Sequence, residues 1–156
     1  IMGDTKKFVF KTGTRTFEAA AYLKRMGADT ISVKQMTQSD IKDFVTRAEI
    51  IKSAQIYKEN IAIAKTSDVD SVIVAQAADE LLNISGIEAS FVLTESPQGV
   101  NISGRSLGNI NVQMILERLG GGGHMTVAGA QIENESINTV FEKLKEAIDD
   151  YFTQSQ

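Results

Sequence analysis

The 156-residue chain predicts an α/β (α+β) fold, a mixed β-sheet with helices packed on it. Three observations carry this expectation. Several segments place apolar residues on one helical face, others alternate as strands do, and a single proline, Pro97, leaves long stretches free for regular structure.

The elements follow in order. Thr14 to Met26 is alanine-rich and helix-forming, with Gly27 at the expected left-handed stop. Ser39 is a plausible N-cap for a helix whose apolar face is Ile41, Phe44, Val45, Ala48 and Ile51. Gln55–Tyr57 and Ile61–Lys65 read as extended pieces around Lys58-Glu59-Asn60. Asp70 opens another helix with a wide stripe of Ile73, Val74, Ala77, Ala78, Leu81 and Leu82, and Gly86 marks its exit. Ala89–Glu95 and Val100–Arg105 alternate about Pro97 and Gly99, which predicts a hairpin. Val112, Ile115, Leu116 and Leu119 form a short helix stopped by Gly120, and Ala130–Glu133 is a strand. The last helix is capped by Ser136 and turns Ile137, Val140, Phe141, Leu144, Ile148, Tyr151 and Phe152 to one side.

Composition removes several function classes. There is no cysteine, so disulfides, thiolate zinc sites and a cysteine nucleophile are excluded, and the single histidine, His124, excludes a multi-histidine metal site. No apolar run reaches the roughly 18 residues of a membrane helix, and no signal-peptide pattern opens the chain, so it reads as soluble. The start, Ile1-Met2-Gly3-Asp4, reads as a piece of a longer protein. Net charge is −4. Residues 1–78 hold twelve basic and nine acidic groups, whereas residues 79–156 hold four basic and eleven acidic. Long nucleic acid held by counterion release is therefore not expected, and an anion on the second half must be gripped by a few placed groups.

Two segments supply such groups. Four glycines, Gly120 to Gly123, run directly into His124 and a small-residue stretch ending in Ala128-Gly129-Ala130. Linkers are usually polar on both sides. An ordered glycine turn, by contrast, converges backbone N–H groups on an anion at positions where a side chain would collide with it. The spacing is neither a Walker A loop nor a dinucleotide fingerprint. Upstream, Ser103-Gly104-Arg105-Ser106 sets one of only two arginines beyond residue 78 among small hydroxyls, where a guanidinium fork and its neighbours can hold a phosphate. Asp68/Asp70 fit a helix start and Asp149/Asp150 the polar side of the last helix, so both pairs read as structural.

Together, Ser103 to Ser106, Asn109-Ile110-Asn111-Val112 and Gly120 to His124 followed by Ala128-Gly129-Ala130-Gln131 resemble the DHH-associated substrate-binding domain of the DHH phosphoesterase superfamily. The nearest branch is the GdpP/YybT-type cyclic di-AMP phosphodiesterases. The resemblance implies that residues 1–37 are the C-terminal remnant of a catalytic DHH domain with its linker helix, and that residues 38–156 are the associated domain. It implies Mn²⁺ in the parent's DHH lobe, with Asp4 as a remaining ligand, although Gly3 stands where a hydrophobic strand residue is usual. It also implies that Ser103, Arg105, Ser106, Gly121, Gly122, Gly123 and His124 bind the substrate.

The Asp-His-His motif and the upstream His-x-Asp-x-Asp cluster are absent from this sequence, so the chain is expected to be inactive alone. The implied partners are a cyclic dinucleotide or short oligonucleotide, the parent's own DHH domain and a homodimeric copy. The implied parent is bacterial and membrane-anchored, with this part in the cytosol. Alternatives are a nanoRNase/pAp phosphatase acting on short linear oligonucleotides, a non-catalytic nucleotide or RNA-binding module, and a dimerisation piece with an accidental glycine run. An RNA binder of that kind needs a broad basic or aromatic face, which three tyrosines, no tryptophan and an acidic second half do not provide.

Overall fold

The computed structural model describes residues 40–154. The chain divides into two units, Ile1–Ile41 and Lys42–Gln156, and the sheet lies in the second. The helix expected at Thr14–Met26, the expected 1–37 segment and Asp4 lie outside the described residues.

Among the described residues, four helices, α1 (Ile41–Lys52), α2 (Ser71–Leu81), α3 (Val112–Glu117) and α4 (Ile137–Gln154), accompany six strands. The strands are β1 (Gln55–Tyr57), β2 (Ile61–Ser67), β3 (Ala89–Ser96), β4 (Gly99–Ser106), β5 (Gly122–Gly123) and β6 (Val127–Glu133), in one sheet ordered β1-β2-β3-β4-β6-β5. Only β2 and β3 are parallel, joined by the α2 crossover; the other neighbours are antiparallel. The mixed sheet with packed helices is the fold class expected from the sequence.

The central strand β3 is buried on both faces, so its side chains divide by parity. Ala89, Phe91 and Leu93 join Ile61, Ile63, Val100 and Ile102 in a core beneath α3 and α4, which contribute Ile115, Leu116, Val140, Leu144 and Ile148. Val92 joins Ala62 and Ala64 in a second core beneath α1 and α2, with Ile73, Val74, Ala77, Ala78 and Leu81. Fully burying a side chain such as Phe91 contributes roughly 1.5–3 kcal/mol. Gly104 is a glycine for a packing reason: a Cβ there would sit 3.1 Å from both Phe91 and Leu116.

Local chemistry sets the element ends. The Asp70 carboxylate caps α2 by accepting from the Val72 N–H at 2.7 Å, and Asn111 Oδ1 caps α3 by accepting from Met114 N–H at 3.1 Å. Ser136 caps α4 through Thr139 N–H at 3.2 Å. The three-residue β1–β2 turn, Lys58 to Asn60, places Lys58 (φ 55) and Glu59 (φ 72) in the left-handed region, which non-glycine residues adopt mainly in tight turns.

One expectation is corrected. The sequence suggests that α1 buries Ile41, Phe44, Val45, Ala48 and Ile51, but Ile41, Phe44, Val45 and Ala48 are exposed and Ile51 is only partly covered. The buried residues are Ile50 and Arg47. Arg47 occupies the inward position because α2 offers it polar partners, Gln76 at 3.0 Å and Glu80 at 3.5 Å.

Tyr57 ties β1 to α4 by donating to Asp149 at 2.7 Å, with Lys58 3.2 Å from the same oxygen. That hydrogen bond, then burial and the carboxylate's charge, pushes the Tyr57 hydroxyl up from 10.0 to about 12. The bond from Tyr57, helped by Lys58, holds Asp149 below its ordinary value of 3.8. The Tyr57 contribution to stability is thus complete below pH 10 and lost as pH rises towards 12, because the unfolded chain ionises first. The Asp149 contribution is complete above 3.8 and lost as pH falls through its lowered value. In thermal unfolding from pH 9 to 12, Tyr57→Phe is expected to be less stable than wild type at pH 9 and to lose less on titration. A parallel alkaline loss in both proteins would contradict this.

Candidate functional site

Strand parity builds the site. On β4, Val100, Ile102, Gly104 and Ser106 face the α3–α4 core, so Asn101, Ser103 and Arg105 face the other way. On β6, Ala128, Ala130 and Ile132 pack on that same core, which turns Val127, Gly129 and Gln131 to the side of Arg105. α1 and α2 cover this second face over β2 and β3, where their core lies. α2 also reaches β4, where Asp79 meets Arg105, and beyond it a half-open shelf remains among the described residues, floored by β4 and β6 and edged by the β5 glycines.

Registers arrange the shelf in rows. Arg105 is opposite Val127 and Ser90, Ser103 opposite Gly129 and Val92, and Asn101 opposite Gln131 and Thr94. Gly122 continues the Ser103 row beyond Gly129. His124 N–H donates to Val127 carbonyl at 2.7 Å, which sets the histidine opposite Val127 and hence in the Arg105 row, about 10 Å away across two strand spacings. His124 is exposed.

Arg105 is held in place. Its Nε lies 3.2 Å from Asp79 Oδ1 on α2, one terminal nitrogen donates to the Gly104 carbonyl at 2.9 Å, and its side chain is only 14% exposed. A guanidinium carries five N–H donors, so these contacts fix its plane and leave donors for an anion. Asp79 was not legible as a site residue from motifs. Its signal is a carboxylate beside the apolar α2 stripe of Ala77, Ala78 and Leu81, one helical turn from Ala75.

The glycine run is ordered as a closing edge strand. Gly120 leaves α3 with φ +83, and the Gly121 N–H donates to Leu116 carbonyl at 2.9 Å. A Cβ on Gly121 would collide with the Gly129 carbonyl oxygen and lie 2.7 Å from Ala130 Cβ; on Gly123 (φ +145) it would lie 2.5 Å from the Val127 carbonyl oxygen. Nothing lies within 4 Å of a Cβ on Gly122. The sequence suggests that Gly121 to Gly123 present their amides to an anion, but the Gly121 amide already closes the α3 exit.

Ser106 is set apart from the other expected site residues. It is buried on the opposite face, accepts from the Gly108 N–H at 3.2 Å and approaches the Met125 carbonyl at 3.4 Å. Its three-residue offset from Ser103 already places it across the sheet. Asn109 and Asn111 are structural: Asn109 donates to Glu88 at 2.8 Å, and the Asn111 N–H donates to the Tyr151 hydroxyl at 3.0 Å. With Asn60, Asn109 holds the Glu88 carboxyl below its ordinary range, Asn109 having the larger effect. Asp70 and Asp149 are likewise engaged, the first as the α2 cap and the second with Tyr57.

Among the described residues, no three His, Cys, Asp or Glu side chains converge as metal ligands. The Mn²⁺ that the resemblance implies belongs to the parent's DHH lobe, and the one residue expected to reach it, Asp4, lies outside the described residues. A separate depression lined by Arg118, Leu119, Lys143, Glu146 and Asp150 lies on the α4 side, across the sheet from Arg105.

The site is thus a sheet with one half-open face, a guanidinium fixed on it and a glycine strand at its rim. The chain belongs to the DHHA1 domain family, whose model matches residues 58–154. It is 48% identical over 97% of its length to the cyclic-di-AMP phosphodiesterase GdpP of Geobacillus thermodenitrificans, and 46% identical over 97% to the cyclic-di-AMP phosphodiesterase PdeA of Listeria monocytogenes. It spans 24% of the length of each. An exopolyphosphatase-related protein from Bacteroides fragilis shares the fold, with TM-score 0.82 at 18% identity over 96% of this chain and 47% of that one.

Proposed function

We propose that the chain is the substrate-gripping part of a phosphodiesterase that opens cyclic di-AMP to linear pApA. The observation that carries this reading is the shelf itself, where Arg105 is fixed by Asp79 in one row with His124 and beside the side-chain-poor Ser103–Gly129 row. Identity of 48% to a cyclic-di-AMP phosphodiesterase across nearly the whole chain supports the choice of substrate.

In this reading, Arg105 holds phosphate oxygens by charge and hydrogen bonding and His124 by hydrogen bonding, while Ser103 offers a neutral hydroxyl in the adjacent row. The glycine rim lets the nucleotide approach the backbone. The chain's part in the reaction is to bind and orient the phosphodiester, and the parent's DHH lobe with Mn²⁺ supplies the attack. Residues 1–37, with Asp4, are proposed as the end of that lobe, and the parent as membrane-anchored. No helix among the described residues is long and apolar enough to cross a membrane.

Titrating the chain with cyclic di-AMP, linear pApA and AMP, and assaying hydrolysis with added Mn²⁺, tests the reading. Weak saturable binding led by cyclic di-AMP, without turnover, is the expected result. Preference for linear pApA would favour the oligonucleotide-hydrolase alternative, and turnover at the rate of an intact enzyme would overturn the division of labour.

A further inference from the structure

Gly129 has only a mild packing reason to be glycine, one backbone oxygen that would have to give by a few tenths of an ångström. It lies within a strand, its φ is not in the left-handed region, and a Cβ there would meet only the Ile102 carbonyl oxygen at 3.3 Å. A strand glycine of this kind marks the close approach of a ligand or another backbone. Opposite it stands the small Ser103 on one side and Gly122 on the other, the latter with open space where a side chain would be. The Ser103–Gly129–Gly122 row is therefore a slot across three strands. Along β4, the flanking Arg105 and Asn101 rows are separated by about 13 Å between Cα atoms.

The two sides of the slot differ in chemistry. One is the cationic Arg105 row, which also carries Val127, 37% exposed. The other is a pair of exposed amides, Asn101 and Gln131, directly opposite one another and without a side-chain hydrogen bond among the described residues. Thr94 ends that amide row on β3. Its Oγ1 is buried without a hydrogen-bond partner, so the row is short of polar partners on its inner side. Exposed amides alone are ordinary on an uncovered antiparallel face. The unfilled glycine slot beside them is not.

We infer that the Ser103–Gly129–Gly122 slot seats a planar nucleobase and that Asn101 and Gln131 read its edge, making them specificity-determining residues. The inference rests on the nucleotide reading proposed for this face and goes beyond it to the residues that seat and read the base. A carboxamide presents one acceptor and one donor side by side. We take the edge read to be the one that carries N7, where adenine offers the matching amino donor and ring-nitrogen acceptor and guanine offers two acceptors, O6 and N7. The base lies flat on the Gly129 backbone, flanked by Val127, with its phosphate towards Arg105.

The test measures binding of AMP, GMP and ribose 5-phosphate to the chain by ligand-observed NMR, which reads weak affinities. Wild type is expected to favour AMP over both. Asn101→Thr with Gln131→Thr, both exposed and suited to strands, should reduce the AMP preference over GMP by about tenfold or more while leaving ribose 5-phosphate binding unchanged. Gly129→Val should block AMP and spare ribose 5-phosphate with at most a modest loss of Tm, since its Cβ would stand 3.3 Å from the Ile102 carbonyl oxygen, and Gly129→Ala is the milder form if valine disturbs the fold. Retention of the full adenine preference in the double variant, or normal AMP binding by both Gly129 variants, would overturn this inference and leave the nucleotide reading standing. Wild type that binds none of the three probes would overturn both.

Discussion

Arg105→Ala is expected to weaken cyclic di-AMP binding by about 1–3 kcal/mol, the range for losing hydrogen bonds to a charged group. The fold should barely respond. Partly exposed ion pairs contribute about 0–1 kcal/mol, and the Arg105–Asp79 contact is of that kind, with Asp79 28% exposed. If Asp79 positions the guanidinium, Asp79→Ala should lose part of the affinity, while Asp79→Asn, which still accepts from Nε, should keep most of it. Tighter binding by Asp79→Ala would show instead that the carboxylate competes with phosphate. Isothermal titration beside thermal unfolding separates the two effects, and unchanged binding by Arg105→Ala would remove the residue from the site.

The second large effect concerns the glycines, and it is graded along the run. Gly121→Ala and Gly123→Ala each force a methyl group into the β6 backbone, and Gly123 also needs a left-handed φ. Overpacking and strain of this order cost about 1–3 kcal/mol each. Gly122→Ala meets open space and is expected to leave stability within about 0.5 kcal/mol of wild type. Denaturant unfolding of the three variants checks the pattern. Equal, negligible effects at all three positions would mean that the run behaves as a linker and that no edge strand exists.

Much of the fold was legible because burial follows period. The α4 stripe and the Ser136 cap are read directly from spacing, as are the β3–β4 hairpin and the short α3. The α1 face differs from its sequence pattern because Ile41, Phe44 and Val45 fit a helical stripe, but that pattern does not reveal which elements stand opposite. α2 presents Gln76 and Glu80 there, so Arg47 turns inward.

Strand β6 starts earlier than the expected Ala130, at Val127, because pairing with β4 and β5 stabilises a segment whose small residues carry little strand signal. The site was legible as two motifs, but their meeting was not. Arg105 and His124 share a row only because β6 lies between β4 and β5, a tertiary pairing invisible in local spacing. The parity that separates Ser103 from Ser106 was present in the sequence throughout.

If the open face of β4, β6 and β5 is the nucleotide surface, amide chemical-shift mapping of the chain during a cyclic di-AMP titration will register it there. Saturable shifts confined to Asn101–Arg105, Gly122–Gln131 and the neighbourhood of Asp79 are expected. Saturable shifts centred on Arg118, Lys143 and Asp150 across the sheet, with the Arg105 face silent, would contradict that assignment.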